Sequence, residues 1–124
     1  YALLRLAAPV GQQPTSELPD GIARGWRSGG VTVKDGDPLV VVQHPMGDPL
    51  SIAFGNVKSH SDNRLQHDAN TEPGSSGSPC LSAALELAAL HHASLNGPVN
   101  QAIPWPLILT DLAQKNINLP PPPQ

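Results

Sequence analysis

Residues 71–79 read TEPGSSGSP, and this stretch decides how the rest of the sequence is interpreted. Only glycine and serine flank Ser76, so backbone N–H groups can converge near its hydroxyl without obstruction by large side chains. A glycine follows the serine directly, which differs from the Gly-x-Ser-x-Gly strand-to-helix turn. For an isolated motif, a flexible Ser/Gly loop is the better interpretation, so the surrounding sequence has to decide.

Short runs of apolar and β-branched residues surround this stretch. Turn residues separate the runs, since the chain has 15 prolines and 11 glycines among 124 residues. Short strands that are separated by frequent turns favour an all-β barrel or sandwich. One helix follows them, and we expect it to begin near Pro106 and to end near Asn116 or Asn118. The expected strands are residues 1–9, 31–34, 39–43, 50–57, 64–69, 85–93 and 99–103.

The composition excludes several classes of function. Seven Lys and Arg residues against ten Asp and Glu residues give a net charge of −3, without the basic patch that nucleic acid requires. The apolar runs are too short to span a bilayer. The single Cys80 excludes a disulfide framework and a multi-cysteine zinc site. His44, His60 and Asp48 lack the spacing of metal ligands, so we expect no metal, and we expect no cofactor. With no signal peptide in this sequence, a cytoplasmic location is favoured.

Four stretches of the sequence occur in a specific order and spacing: residues 1–6, residues 43–47 with 51–57, residues 74–79, and residues 89–93. They are similar, in that order, to four segments of trypsin-like serine peptidases. These are the segment after the catalytic aspartate, the strand–loop–strand before the active-site loop, the nucleophile motif, and the strand lining the primary specificity pocket. The likeness is greatest to the bacterial branch related to glutamyl endopeptidases and HtrA-type proteases, and it extends over nearly the whole chain.

This resemblance implies an all-β fold. The expected architecture is a six-stranded antiparallel Greek-key β-barrel, one half of a trypsin-like double barrel, with a C-terminal α-helix. The barrel and its closing helix (about residues 104–116) would occupy residues 1–116. Residues 117–124, with prolines at 120–123, would be a Pro-rich linker stub.

The resemblance also implies roles for individual residues. Ser76 would be the nucleophile, and the backbone N–H groups of Gly74 and Ser76 would form the oxyanion hole. Thr71 and His91, with His92, would bind substrate, because glutamyl endopeptidases hold an acidic side chain with a threonine and a histidine at these places. An imidazolium and a hydroxyl can satisfy a buried carboxylate. The alternative, that His91 or His92 is a core or rim histidine, stays open at this point.

One departure limits this interpretation. The family's catalytic histidine and aspartate lie in the first barrel and in the segment before Tyr1. By the resemblance, the aspartate would come directly before Tyr1, so the given sequence does not contain it. A serine hydroxyl without a base is a weak nucleophile, so we expect little or no turnover from this chain alone. Among the five histidines, His67 beside Asp68 is the nearest substitute, but we expect no local residue to complete a triad.

The remaining reactive side chains have simpler interpretations. His44 in a loop and His60 in a polar turn at residues 59–63 are expected to be solvated. Cys80 follows Pro79 into an apolar strand start, so a buried structural thiol is expected rather than a nucleophile.

Three hypotheses about function and partners follow. The first is a serine endopeptidase that cleaves a peptide or protein substrate when joined to a missing N-terminal barrel, which carries His and Asp. The alternative is a non-catalytic peptide-binding or protein-interaction barrel. The third is self-association, in which two copies pair through an apolar surface that the absent barrel leaves exposed.

Overall fold

A computed structural model of the protein describes residues 1–14, 23–27, 29–61, 63–95 and 97–120. The last prolines of the Pro-rich end, 121–123, lie outside the described residues. The chain divides into two compact units, Tyr1–Ser28 with Leu119–Gln124 and Gly29–Asn118. In the described ranges, no helix is long and apolar enough to cross a membrane.

The second unit is a closed barrel of six antiparallel strands in the order β1-β2-β3-β6-β5-β4. A helix follows the last strand, as the sequence predicted, so the expected fold class is confirmed. The strands are β1 (Pro38–Gln43), β2 (Ser51–Ser61), β3 (Arg64–His67), β4 (Pro79–Ser82), β5 (Leu87–Ser94) and β6 (Asn100–Pro104), and the helix is α1 (Trp105–Gln114).

Alternation along the strands builds the core inside this barrel. In β1, Leu39 and Val41 are fully buried, whereas the intervening Val40 is only half-buried. Successive strand residues point to opposite faces, so every second side chain enters the barrel. Burial of each such aliphatic side chain contributes about 1.5–3 kcal/mol. The other fully or almost fully buried aliphatic residues of the barrel are Val57, Leu65, Ala88, Ala89 and Ala102.

The helix α1 begins and ends as its sequence predicts. Pro106 occupies its first turn, where a missing N–H costs nothing. Asn116 adopts a left-handed conformation with φ of 56° just after its end, which asparagine tolerates better than most residues. Ile108 and Leu112, four residues apart, are the buried residues of the helix, and α1 contacts β5 and β6.

Two of the predicted strands are wrong. Residues 1–9 form no strand, and the Leu4 side chain is 81% exposed. Residues 31–34 form none either, although Val33 is buried and the Val31 amide donates to the carbonyl of Leu87 at 3.0 Å. The barrel closes through β1 and β4, so residues 31–34 have no open sheet edge to join.

The predicted polar turn at residues 59–63 is also partly wrong. Strand β2 continues through Ser61, and the turn to β3 begins only after it. His60 therefore lies in a strand, and its Nδ1 lies 2.7 Å from the Asp35 carboxylate at the barrel surface. Asp35 lies 25 residues from His60 in the sequence, so the local composition around His60 does not reveal this contact.

Candidate active site

The loop that carries Ser76 connects β3 to β4, and two side-chain amides fix the backbone where it begins. The Asn100 side chain donates to the carbonyl of Ala69 at 2.8 Å, in a buried position on β6. The Gln43 side chain, at the end of β1, donates to the carbonyl of Asn70 at 3.0 Å. A buried carbonyl such as that of Ala69 would destabilise the fold without such a partner, and strands on both sides hold the entry of the loop.

Tight internal turns then shape the loop itself. The Ser75 amide donates to the carbonyl of Glu72, and the Ser78 amide donates to the carbonyl of Ser75, each at 3.1 Å. Gly77 has a φ of 92°, a left-handed conformation that favours glycine. The result is a buried Ser75 side chain and an exposed Ser76.

The segment after β1 packs against this loop and explains the glycine at position 74. The Met46 amide donates to the carbonyl of Pro73 at 2.7 Å. A Cβ atom at Gly74 would lie 3.2 Å from the carbonyl oxygen of His44, and its φ of 97° disfavours other residues. Residues 43–47 and 74–79, which the sequence analysis grouped by resemblance alone, are thus in direct contact.

Strand β5 supports the loop from the other side. The Gly77 amide donates to the carbonyl of His91 at 2.8 Å, and the His91 amide donates to the carbonyl of Ser78 at 2.9 Å. The Ser76 hydroxyl donates to the carbonyl of His92 at 3.2 Å. A backbone carbonyl cannot accept the hydroxyl proton as a base, so this bond orients Ser76 without activating it.

The two amides predicted to form the oxyanion hole have no competing partner within the described part of the chain. Among the backbone hydrogen bonds between described residues, neither the Gly74 amide nor the Ser76 amide donates. Both N–H groups lie within two residues of the exposed hydroxyl along the chain, and unpaired amides can bind a developing negative charge. This arrangement is compatible with acyl transfer at Ser76.

A polar cleft of about 480 Å³ lies beside Ser76, and Thr71 and His91 line it with the serine. The structure therefore brings together three of the four side chains that the sequence singled out. His92 is not among the lining residues, because neighbouring strand residues point to opposite faces and its side chain is exposed. The other lining residues are Asp68, Asn70, Glu72, Pro73, Ser94, Gly97, Pro98 and Asn100.

The hydroxyl of Thr71 lacks a partner in this cleft. Its Oγ1 is buried and has no hydrogen-bond partner in the part of the chain that the structure describes. Buried hydroxyl groups are usually satisfied by protein, water or ligand. Thr71 thus carries an unsatisfied buried hydroxyl in the wall of the cleft.

A second histidine lies directly behind His91, and sequence reasoning missed the pairing. The Nε2 atom of His67 lies 3.3 Å from the Nδ1 atom of His91, with the rings edge to face. Burial and the neighbouring His91 lower the pKa of His67 to about 4. Burial and the neighbouring His92 also lower the pKa of His91. Both imidazoles are therefore neutral at pH 7.

The strand register explains why this pair forms. On β6, Asn100 faces His67 of β3 and Ala102 faces His91 of β5. The small Ala102 leaves room between the flanking strands. The combination of His67, His91 and Ala102 indicates the histidine pair only once the strand order β3-β6-β5 is known.

Cys80 and His44 are placed as the sequence predicted. Cys80 is fully buried in β4, and burial raises the pKa of its thiol to about 12, so the thiol stays protonated. A protonated buried thiol is not a nucleophile. His44 is exposed, and its ring Nδ1 lies 3.1 Å from the carbonyl oxygen of Asp48.

Asp68 lines the cleft, and neighbouring donors compensate the negative charge of its carboxylate. Its carboxylate accepts from the Lys58 ammonium and from the Asn56 amide, each at 2.6 Å. The hydrogen bond from Lys58 is the main cause that lowers the pKa of Asp68. Asp68 is therefore ionised and paired, and it is not available to orient a catalytic imidazole.

Comparisons with known proteins place this geometry in a family. The model of the trypsin-like peptidase domain matches residues 1–90. A serine endoprotease from Yersinia pestis is similar in structure, with a TM-score of 0.63 and 26% identity over 70% of this chain and 33% of that one. The HtrA-type protease AlgW, solved with a decapeptide, gives a TM-score of 0.62 and 22% identity over 66% of this chain and 30% of that one.

The chain thus spans about a third of the length of these solved structures. A comparison with curated protein sequences found no significant match. The family model covers most of the chain, including the loop of Ser76. The chain belongs to the trypsin-like peptidase domain family.

Proposed function

We propose that this chain carries the nucleophile and the specificity cleft of a serine endopeptidase. The observation that supports this most is the exposed Ser76, which lines a cleft and whose loop leaves the amides of Gly74 and Ser76 without a backbone partner among the described residues. A nucleophile, an oxyanion site and a side-chain pocket are what peptide-bond hydrolysis needs in one place.

The proposed reaction runs through an acyl-enzyme. The Ser76 oxygen attacks the scissile carbonyl carbon, and its proton passes to a histidine base that the other barrel supplies. The amides of Gly74 and Ser76 hold the resulting oxyanion, and each such donor contributes about 3–4 kcal/mol. The C–N bond then breaks as the base returns the proton to the leaving amine. Water hydrolyses the Ser76 ester by the same route.

We propose that the chain alone is inactive. The Ser76 hydroxyl binds a carbonyl oxygen, and no imidazole of the described residues is hydrogen-bonded to it. His67 and His91 bind each other instead. The missing partner would be an N-terminal barrel with the His and Asp, in keeping with the short span of the chain relative to its neighbours.

The cleft would take the substrate side chain that precedes the scissile bond. Thr71 and His91 line it, and a hydroxyl and an imidazole suit an acidic or amide side chain. The structural neighbour AlgW was solved with a decapeptide, and a peptide or protein is the proposed partner here as well. His92 would contribute through its carbonyl, which orients Ser76.

Labelling with a fluorescent fluorophosphonate tests the proposal. The chain, its Ser76→Ala variant and an exposed-serine control, Ser61→Ala, are each measured with and without the N-terminal barrel in trans. We expect labelling only when the two parts are combined, and loss of it only in Ser76→Ala. Labelling of the chain alone that depends on Ser76 would show that a base is already present, against the proposed inactivity.

A second candidate function, a non-catalytic peptide-binding barrel, is favoured by one observation. The only hydrogen bond of the Ser76 hydroxyl within the described residues goes to a backbone carbonyl, which binds the serine without activating it. No labelling under any condition, together with peptide binding in the cleft, would support this candidate over the first.

Exposed apolar side chains support the proposed self-association. On the outer face of β2, Ile52 is 59% exposed and Phe54 is 77% exposed. They lie opposite Val42 and Val40 of β1, so the four form one apolar face. Such a face on a free barrel favours association.

A further inference from the structure

An apolar groove of about 510 Å³ lies in the first unit, and it shares no lining residue with the candidate active site. This surface, the Trp26 groove, has residues 6–12 as one wall, and Gly25, Trp26 and Pro120 complete its lining. Most of the wall is exposed, and the described lining residues include no charged side chain. The groove therefore presents apolar surface to solvent.

Local hydrogen bonds hold Trp26 against the wall. The Gly25 amide donates to the carbonyl of Gly11 at 2.7 Å, and the Arg24 amide donates to the carbonyl of Gln13 at 3.0 Å. A Cβ atom at Gly11 would overlap the six-membered ring of the Trp26 indole, so the glycine lets this ring lie directly on the backbone. Trp26 is half-buried in this position and lines the groove.

The Trp26 indole already has a partner from the far end of the chain. Its Nε1 atom donates to the carbonyl of Pro120 at 3.3 Å, across 94 residues of sequence. Pro120 is the first of four consecutive prolines, and residues 121–123 complete the run before Gln124. The Pro-rich end therefore reaches the groove with its first proline.

The chemistry of a proline run matches this groove. Proline has no N–H group, so such a run offers only ring surface and carbonyl acceptors. A surface that binds it needs exposed apolar side chains and an N–H donor, and a tryptophan supplies both in one residue. Consecutive prolines also favour the extended polyproline II helix, which has no internal hydrogen bonds and loses little conformational entropy on binding.

We propose that the Trp26 groove is a docking site for a proline-rich segment, and that its occupant is the chain's own C-terminal end, residues 119–124. The hydrogen bond from Trp26 to Pro120 is the observation that carries this proposal. Residues 117–124, which the sequence predicted to be a linker stub, thus contain a ligand for a site in the same chain. Docking joins this end to the wall of residues 6–12 and excludes other proline-rich peptides from the groove.

Nuclear Overhauser contacts in the full chain test whether the end is docked. The chain has two tryptophans, so the indole N–H resonances of Trp26 and Trp105 are assigned first. We expect contacts between the Trp26 Nε1 hydrogen and protons of the proline run, residues 120–123. Absence of these contacts in the folded protein would overturn the proposal.

A peptide with the sequence of the C-terminal end measures occupancy of the groove. Acetylated LPPPPQ is titrated against the full chain and against a full-length serine variant, and the Gly11 amide resonance is followed. The serine variant carries Pro120→Ser, Pro121→Ser, Pro122→Ser and Pro123→Ser. A tethered end has a local concentration on the order of millimolar, so the peptide should bind the wild-type chain at least about tenfold more weakly than the serine variant. A control peptide with alanine at the four proline positions should bind neither protein.

Removal of the indole donor provides a matched variant. Trp26→Phe, introduced into the serine variant, keeps an aromatic ring but removes the N–H group. We expect the peptide to bind this protein about fivefold more weakly, which corresponds to the loss of one hydrogen bond. Unchanged affinity would show that the Trp26 donor does not contribute to recognition. If Trp26→Phe does not fold, the Overhauser contacts and the two titrations still decide the question.

The other outcomes each overturn one part of the proposal. Equal peptide affinity for the wild-type chain and the serine variant would show that the groove is free, so that its occupant is a proline-rich segment of a partner. A wild-type dimer in sedimentation velocity that the serine variant lacks would show that two copies exchange their ends. No binding of the peptide to the folded serine variant would exclude the docking site itself. None of these measurements involves Ser76, so they are independent of the proposed peptidase activity.

Discussion

Mild acid should destabilise this protein through His67, which is fully buried in the barrel. Burial and the neighbouring His91 lower the pKa of this imidazole to about 4, and the nearby Asp68 only partly opposes them. In the unfolded chain the same group takes up a proton near pH 6.5. Between these two pH values the unfolded state binds more protons than the folded state. The free energy of unfolding is therefore highest above pH 6.5 and falls as the pH drops toward 4.

The size of the effect follows from the two pKa values. A difference of about 2.5 pKa units corresponds to about 3 kcal/mol lost by pH 4. That is a large part of the 5–15 kcal/mol that stabilises an ordinary domain. The lowered pKa values of His91 and His92 act in the same direction. The pKa of Asp68 lies below its ordinary value of 3.8, so its ion pair with Lys58 is lost only at lower pH.

Urea unfolding from pH 7.5 to 4.5, followed by tryptophan fluorescence, measures this dependence. We expect the midpoint of the wild-type protein to fall steeply at a constant m-value. In His67→Gln the loss between pH 6.5 and 4.5 should be clearly smaller than in the wild-type protein. A flat profile, or the same decline in His67→Gln, would refute the argument.

Three further substitutions test the scaffold and the surface. Gly55→Ala should lower the free energy of unfolding by about 1–3 kcal/mol in urea titrations, because its Cβ would overlap the Ala69 backbone. Asn100→Leu should cost about 1–3 kcal/mol by leaving the Ala69 carbonyl unpaired, whereas the exposed control Asn118→Leu should stay within about 0.5 kcal/mol. Phe54→Ser should reduce self-association in sedimentation velocity at high concentration, and an unchanged sedimentation coefficient distribution would exclude the β2 face.

The sequence predicted the strands that alternate strictly and the loop between β3 and β4. Strands such as β1 bury every second residue, so their local pattern carries the information. The helix was predictable from Pro106 and Asn116, which mark its two ends. Residues 31–34 were wrongly predicted to form a strand. Their β-branched residues indicate only a local preference, whereas a strand also needs the edge of a neighbouring strand to pair with.

The cleft was predictable only in part. Ser76 was found through its motif, and Thr71 and His91 through the family resemblance; all three line one cleft in the structure. The His67–His91 contact depends on β6 lying between β3 and β5, which no local pattern contains. The exposure of His92 follows from strand alternation once His91 is placed inside, and it could have been derived from the pair itself.

The site of covalent labelling tests the central claim most directly. The chain is combined with the N-terminal barrel, treated with a fluorophosphonate, digested and mapped by mass spectrometry. Our account predicts one adduct, on Ser76, that is absent when either part is treated alone. An adduct on another serine, or full labelling of Ser76 without the second barrel, would contradict it.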